Sequence, residues 1–383
     1  MHMKIAIPKE IVPSERRVSV VPETAARLVK SGLEMRVEAG AGAGANFSDQ
    51  AYTNVGATIV SDVAALFGEA DVVLKVQKPA MNAALGKHEI ELMREGAVLI
   101  GFLQPMLNRD LVQMLAQRKV TAFSMDAIPR TTRAQSMDAL SSQSTVAGYK
   151  AVLLAANAAK KLFPMLTTAA GTITPAKVFI LGAGVAGLQA IATARRLGAI
   201  VQAFDVRPAV KQEVESLGAK FVGFTMQEAA DKSGYAKELS EEQNRKNREL
   251  IAQYAKEADI VITTALVPGK KAPVLITQAM VHQMKTGAVI VDLAAEQGGN
   301  CEVTKAGQEV AENGVTILGP VNLPSMMSCH ASQMYSKNIT TLLQLMVKEG
   351  KLNLDFTDEI IKGCCVTHEG KILLPSLNGK GGN

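Results

Sequence analysis

The chain has 383 residues, of which 48% are hydrophobic, 20% charged and 4% aromatic, with no tryptophan; this composition folds, and it excludes a mainly disordered protein. Its length exceeds what a single core usually supports, so two domains are expected. The formal net charge of +5 arises from 41 basic and 36 acidic residues spread along the chain, which does not point to nucleic acid as a partner. Four cysteines (Cys301, Cys329, Cys364, Cys365), none in a Cys-x-x-Cys pair and none preceded by a secretory signal, suggest a reducing cytoplasm and no metal site. No apolar run approaches the roughly 18 residues that cross a bilayer. The most apolar stretch, residues 151–162, is interrupted by Lys160 and Lys161. A soluble protein is expected.

The opening Lys4-Ile5-Ala6-Ile7-Pro8 reads as a short buried strand, residues 22–31 have helical periodicity, and residues 37–44 (VEAGAGAG) read as a second strand running into a glycine turn. Strand and helix alternating at this rhythm predict βαβ units, hence an α/β fold with a parallel sheet covered on both faces. A pseudo-repeat follows. Glu69-Ala70-Asp71-Val72-Val73, then Gly96-Ala97-Val98-Leu99-Ile100, is echoed by Glu257-Ala258-Asp259-Ile260-Val261, then Gly287-Ala288-Val289-Ile290-Val291. Two doubly wound, Rossmann-like domains with a cleft between them would produce it, although such helix-end-to-strand sequences also recur by chance.

The chain is expected to cross between domains within residues 130–159, through a helix over residues 149–161, and to return through a helix over residues 328–347. The first domain is then discontinuous, 1–140 plus 325–383, around a second domain at 141–324. Residues 226–254 are polar and densely charged inside an apolar half, and read either as a solvated helix or as a mobile lid.

The motif with cofactor chemistry is Val178-Phe179-Ile180-Leu181 running into Gly182-Ala183-Gly184-Val185-Ala186-Gly187, then helical periodicity, then a strand over residues 200–204 ending at Asp205. Gly182 permits a tight turn, Gly184 lets backbone approach a pyrophosphate, and Gly187 allows close helix packing. The helix N-terminus then binds phosphate. Asp205 follows Gly187 by 18 residues, near the interval at which a carboxylate bonds the adenosine ribose. An acid there repels a 2′-phosphate, so NAD(H) is expected rather than NADP(H); Arg207 beside it reads as neutralising nearby charge.

A dehydrogenase that moves a proton with its hydride needs a general acid or base, most often His or Lys. None of His2, His88, His282, His330 and His368 lies in a strand-end motif, and His2 and His88 read as solvated surface. The polar run from Pro129 to Ser144 (PRTTRAQSMDALSSQS) is too polar for a core strand and sits at the expected crossing. Its side chains suit a carboxamide and ribose hydroxyls; a capped helix start is the other reading.

Four separated motifs, Lys4 to Glu10 (KIAIPKE), Arg130 to Asp138 (RTTRAQSMD), Ser233 to Glu238 (SGYAKE) and Asp292 to Cys301 (DLAAEQGGNC), together with the glycine motif, resemble the NAD(H)-binding domain I of proton-translocating NAD(P)+ transhydrogenases, within the family that also holds alanine dehydrogenase. The resemblance covers nearly the whole chain. It implies direct hydride transfer from NADH bound here to NADP+ on a partner subunit, coupled to proton passage through the membrane. It places Arg130, Gln135, Asp138 and Ser141 at the nicotinamide and its ribose. Gly182, Ala183, Gly184, Val185, Ala186, Gly187, Asp205, Val206, Arg207, Thr264, Ala265 and Leu266 are placed at the rest of the nucleotide, and Tyr235 on a mobile loop that closes over it. It also implies membrane partner subunits that include the NADP(H)-binding domain III, a homodimer, and a peripheral position on the cytoplasmic face of the inner membrane.

Moving hydride between two nicotinamide rings transfers no proton at the reacting carbons, so no catalytic acid is required. Alanine dehydrogenase is the internal contrast. Arg17 and Lys75 match residues that bind substrate in that enzyme, but its catalytic histidine falls on Gln104, and an amide is no general base near neutral pH. Amino-acid oxidation is therefore not expected, and Arg17 and Lys75 read as inherited structure or as nucleotide-site electrostatics. A non-catalytic NAD(H)-sensing module is the third reading. Met3 makes as good a start as Met1, so the status of Met1-His2 stays open.

Overall fold

Strand β1 (Lys4–Ile7) leads through α1 (Pro22–Lys30) to β2 (Glu34–Glu38), and then come β3 (Thr58–Val60), β4 (Val72–Leu74), β5 (Val98–Gly101) and β6 (Thr121–Ser124). Helix α2 (Ala139–Ala158) precedes β7 (Lys177–Leu181), α3 (Val185–Arg196), β8 (Ile200–Phe204), β9 (Lys220–Val222), α4 (Glu241–Glu257), β10 (Ile260–Thr263), β11 (Val289–Asp292), β12 (Glu309–Glu312) and β13 (Val315–Leu318). Helix α5 (Ser328–Leu345) is followed by β14 (Cys365–His368) and β15 (Lys371–Ile372). This computed structural model describes residues 2–223, 241–266 and 271–374.

The chain divides into two compact units, Met1–Gln143 with Ser325–Asn383, and Ser144–Pro324. The first carries an eight-stranded sheet in the order β15-β14-β6-β5-β4-β1-β2-β3, and the second a seven-stranded sheet in the order β9-β8-β7-β10-β11-β13-β12. Pairing is parallel except at one end of each sheet, where β14 runs antiparallel to β6 and β15, and β12 to β13. In both, the order reverses at the first strand, between β1 and β4 and between β7 and β10. That is the doubly wound plan with its ligand-prone switch point.

Alternation along the strands explains why both faces are covered. Ile5, Val72, Leu74, Val98 and Ile100 enter one apolar core of the first unit, while Ala6, Val73 and Leu99 enter the other. In the second unit Val178, Ile180, Ile260 and Ile262 face one core, and Phe179, Leu181 and Val261 the opposite one. A strand buried on both sides needs apolar residues throughout, which is why these runs carry no polar alternation.

The pseudo-repeat is structural. Asp71 Oδ2 accepts from Lys4 N at 2.7 Å, and Asp259 Oδ2 from Lys177 N at 2.8 Å, so each aspartate ties the start of its unit's first strand to the start of its fourth. A cation meets the other carboxylate oxygen in each case, Arg94 at Asp71 and Lys285 at Asp259. Two residues after that cation stands a left-handed glycine, Gly96 (φ 76°) or Gly287 (φ 84°), and the next strand begins at Val98 or Val289.

Several boundaries differ from expectation. The second strand ends at Glu38, because Ala39 to Ala45 turn through left-handed Gly40 into a 3-10 helix. The long helix begins at Ala139 rather than near Tyr149, since Asp138 caps it: Ser141 N donates to Asp138 Oδ1 at 2.9 Å. The latter part of the charged insert is helix α4, whose Ile251 and Ala255 are buried in a core of the second unit; its earlier part, with Tyr235, lies outside the described residues. No described helix is long and apolar enough to cross a membrane.

Candidate functional site

The glycine turn is built as the spacing requires. Gly182 has φ +98°, and a Cβ there would stand 2.6 Å from Thr264 Oγ1; a Cβ on Gly187 would stand 1.8 Å from Gly182 O. Gly184 differs from both, since a Cβ on it would meet nothing within 4 Å. Two glycines thus close the turn on itself and the third leaves open space at the first turn of α3. The unpaired N–H groups and dipole of that helix end favour an anion. Ala183 is buried, Ala186 half-buried and Val185 41% exposed, so Val185 turns outward from this end of the unit.

Asp205, 7% exposed at the end of β8, engages both oxygens nearby. Oδ2 accepts from Ala183 N at 2.8 Å and from Arg207 Nη2 at 2.9 Å, while Oδ1 accepts from Arg207 N and Nε, each at 2.9 Å. The carboxylate therefore cross-links the glycine turn to the β8 end. Arg207 caps it bidentately. Val206 packs against the core on the α4 side.

Beyond β10, Thr264 N donates to Leu181 O at 2.8 Å and Thr264 Oγ1 to Gly182 O at 3.0 Å, so this segment walls the turn. Ala265 N donates to Asn300 Oδ1 at 3.0 Å, and Leu266 is 41% exposed. The second unit thus brings together the whole set from Gly182 to Gly187 with Asp205, Val206, Arg207, Thr264, Ala265 and Leu266.

The residues expected at the nicotinamide lie in the first unit. Thr132–Met137 form a 3-10 turn, with Arg130 and Gln135 exposed and Asp138 and Ser141 half-buried. Ser141 Oγ donates to Asp138 Oδ2 at 2.5 Å. Asn338 Nδ2 donates to Ser136 O at 2.8 Å, and Arg133 pairs with Asp358 at 2.6 Å, so the loop is anchored from α5 and from a C-terminal cap. The hydroxyl of Thr131 is buried with no hydrogen-bond partner among the described residues, a free polar atom inside a loop otherwise satisfied by its surroundings.

Arg17 and Lys75 are also in the first unit, and both are engaged by carboxylates. Lys75 is fully buried, with Nζ 2.9 Å from Glu89 Oε1 and 3.3 Å from Glu10 Oε2. Burial pushes the Glu10 carboxyl up to about 7 against the pull of Lys75. Arg17 Nη2 meets Glu15 Oε2 at 2.6 Å and Nη1 meets Gln143 Oε1 at 2.8 Å. Burial raises the Glu15 carboxyl, but the stronger combined pull of Arg17 and Gln77 brings it down to about 2. Gln104 is exposed, in a left-handed conformation (φ 47°). His88 is half-buried rather than solvated, because its ring caps the helix Glu89–Leu92.

Sequence reasoning passes over three residues. Gly148, inside α2, lies so close to the start of α3 that a Cβ would stand 2.1 Å from Ala186 O; a lone glycine in a helical pattern is the available signal. Asp292 and Asn300 are fully buried and hold the 265 segment. They sit within the Asp292 to Cys301 motif with no role legible there, because what they bind is backbone remote in sequence.

Models of the alanine dehydrogenase/PNT family match this chain twice, the N-terminal domain over residues 6–147 and the C-terminal domain over residues 151–375. The chain belongs to that family. It is 50% identical over 384 residues to an NAD(P) transhydrogenase subunit alpha from Rhodospirillum rubrum, covering 99% of this chain and all of the relative. The crystal structure of a transhydrogenase from Sinorhizobium meliloti matches with a TM-score of 0.86 at 45% identity, covering 96% of this chain and 99% of the other. An L-alanine dehydrogenase structure matches with 0.81 at 28% identity, over 98% of both chains. These relatives make the chain an oxidoreductase-family protein with a Rossmann-like nucleotide-binding fold, similar over its length to transhydrogenase alpha subunits.

Proposed function

We propose that this chain is the NAD(H)-binding subunit of a proton-translocating transhydrogenase, and that hydride passes directly between NADH held here and NADP+ held by domain III of a partner subunit. The observation that carries the reading is the asymmetry of the glycine turn. Gly182 and Gly187 are packed shut while Gly184 opens onto free space at the N-terminus of α3, which fits a pyrophosphate and needs no shift of the backbone.

In this reading the residues divide the work. The α3 N–H groups and Gly182–Gly187 take the phosphates, Asp205 takes the adenosine ribose, and Val206, Arg207 and Thr264 to Leu266 line the rest of that half. Arg130, Gln135, Asp138 and Ser141 orient the nicotinamide and its ribose, with the free hydroxyl of Thr131 as a further donor beside them. Tyr235 closes over the nucleotide from a mobile loop. The nicotinamide supplies hydride at carbon, so the chain's own groups orient and exclude water, and none has to hold a proton at the reacting atoms. The absence of a histidine among these residues fits that demand. Arg17 and Lys75, each engaged by glutamates, serve as structure rather than as a substrate clamp. The chain acts as a homodimer, docked on membrane subunits at the cytoplasmic face.

The test is NADH-dependent reduction of an NADP+ analogue by the purified protein, with and without a soluble NADP(H)-binding domain. Turnover that appears only with the partner is expected. Partner-independent NADH oxidation with pyruvate and ammonium would instead make this an amino-acid dehydrogenase, and NADH binding without transfer under any condition would leave a sensing module.

A further inference from the structure

Asn300 pairs both backbone groups of Ala265. Its Oδ1 accepts from Ala265 N at 3.0 Å, and its Nδ2 donates to Ala265 O at 2.9 Å and to Pro273 O at 2.8 Å. One carboxamide thus does for the segment after β10 what a neighbouring strand does for β10 itself. The side chain is fully buried, and its own backbone is fixed as well: Asn300 N donates to Asp292 Oδ2 at 2.8 Å, and Asn300 O accepts from Leu275 N and Ile276 N at 2.7 and 3.0 Å. Asp292, at the end of β11, also accepts from Thr263 Oγ1, Ala294 N, Cys301 N and Thr304 Oγ1 at 2.7–3.0 Å. The central strands therefore hold Asn300, and Asn300 holds Ala265. On the other side, Thr264 bears on Gly182 through the 3.0 Å hydrogen bond to its carbonyl.

We propose that Asn300 is a positioning residue for the dinucleotide. It sets the backbone height of Thr264 to Leu266 against the glycine turn, acting through Ala265 and not by touching the ligand. The inference rests on reading that turn as the NAD(H) site. Only a carboxamide offers an acceptor and two donors in one plane at neutral pH. An alanine there leaves Ala265 N–H and C=O unpaired, and a carboxylate keeps the acceptor but sets a negative charge against two carbonyl oxygens.

The chemistry supplies a signature that simple destabilisation does not. In Asn300→Asp the new carboxyl is buried and close to Asp292, so its pKa is raised, and on protonation it regains one donor. NADH affinity is measured by fluorescence titration of the full chain at pH 6 and pH 8, each value relative to wild type at the same pH, alongside melting temperature. Thr304→Val, which removes a bond to Asp292 but none to Ala265, serves as the structural control.

Asn300→Asp is expected to bind NADH about tenfold more weakly than wild type at pH 8 and to recover most of that loss at pH 6, with Thr304→Val at wild-type affinity even where it melts lower. Asn300→Ala is expected to stay weak at both. Affinity of Asn300→Asp that is unchanged, or reduced equally at the two pH values, overturns the proposal, as does a Thr304→Val loss as large as that of Asn300→Ala. If Asn300→Ala does not fold, the pH comparison on Asn300→Asp decides. Failure of wild type to bind NADH would overturn the parent reading instead.

Discussion

Lys75 stands between Glu10 and Glu89, so one buried positive charge faces two buried carboxylates, and the cluster is neutral only when one carboxyl holds a proton. Glu10 is that group, raised from 4.5 to about 7 chiefly by burial. A raised folded-state pKa contributes stability that is fully present below 4.5 and is lost as pH climbs through about 7. Glu15 is the opposite case, lowered to about 2, so its contribution is present above 4.5 and is lost as pH falls toward 2. Glu10→Gln keeps an acceptor for Val76 N and stays neutral. It should match wild type at pH 5 and exceed it at pH 8, by on the order of 2 kcal/mol in urea unfolding; parallel pH profiles for the two proteins would show that Glu10 does not titrate in this range. Asp205 gives a second prediction at the same scale. Its four acceptor positions are filled by Ala183 and Arg207, so a ribose hydroxyl has to share or displace a guanidinium bond. Asp205→Ala removes the acid and frees Arg207, and the preference for NADH over NADPH should shrink by roughly tenfold, about 1.4 kcal/mol. Competitive titration with both nucleotides checks it, and undiminished discrimination would mean that another group reads the ribose.

The strand, turn and helix from β7 to α3 separate packing from binding within six residues. A methyl group at position 187 collides with Gly182 O, so Gly187→Ala should lower the melting temperature by several degrees, as overpacking of about 1–3 kcal/mol does, and lose NADH binding with it. At position 184 the methyl meets only open space, so Gly184→Ala should melt like wild type yet bind NADH at least tenfold more weakly. Wild-type affinity in Gly184→Ala would move the phosphates elsewhere. This turn is readable in the sequence because its demands are local: a left-handed residue, a close approach and a helix start lie within a few positions of one another. The paired aspartates Asp71 and Asp259 are readable for the same reason, each being followed by a glycine and an apolar strand. Gly148, Asn300 and the Glu10–Lys75–Glu89 cluster are not. Their roles depend on partners 14 to 66 residues away, such as Ala186, Ala265 and Glu89, and spacing carries no information about which distant backbone a side chain will meet. The start of α2 escapes the sequence because Asp138 reads as a ligand-facing acid, when its oxygens also cap the helix.

Across the molecule, none of the buried apolar cores is shared by the two units: two clusters flank the first sheet and two flank the second. Each unit therefore has what a domain needs to unfold in its own transition. The two also differ in what should stabilise them. The first holds the Glu10–Lys75–Glu89 cluster, whose contribution falls as pH rises toward 7, whereas the second holds the glycine turn, from which the phosphates and adenosine would draw most of their binding energy. Calorimetry of the full chain should accordingly resolve two transitions. Raising the pH from 5.5 to 7.5 should lower one of them, and NADH at about 100 times its dissociation constant should raise the other by an amount equivalent to about 2.7 kcal/mol. Glu10→Gln should abolish the pH shift and leave the NADH shift intact, while Gly184→Ala should do the reverse. A single transition that moves with both variables would show that the units unfold together, and the separate cores would then describe packing but not cooperativity.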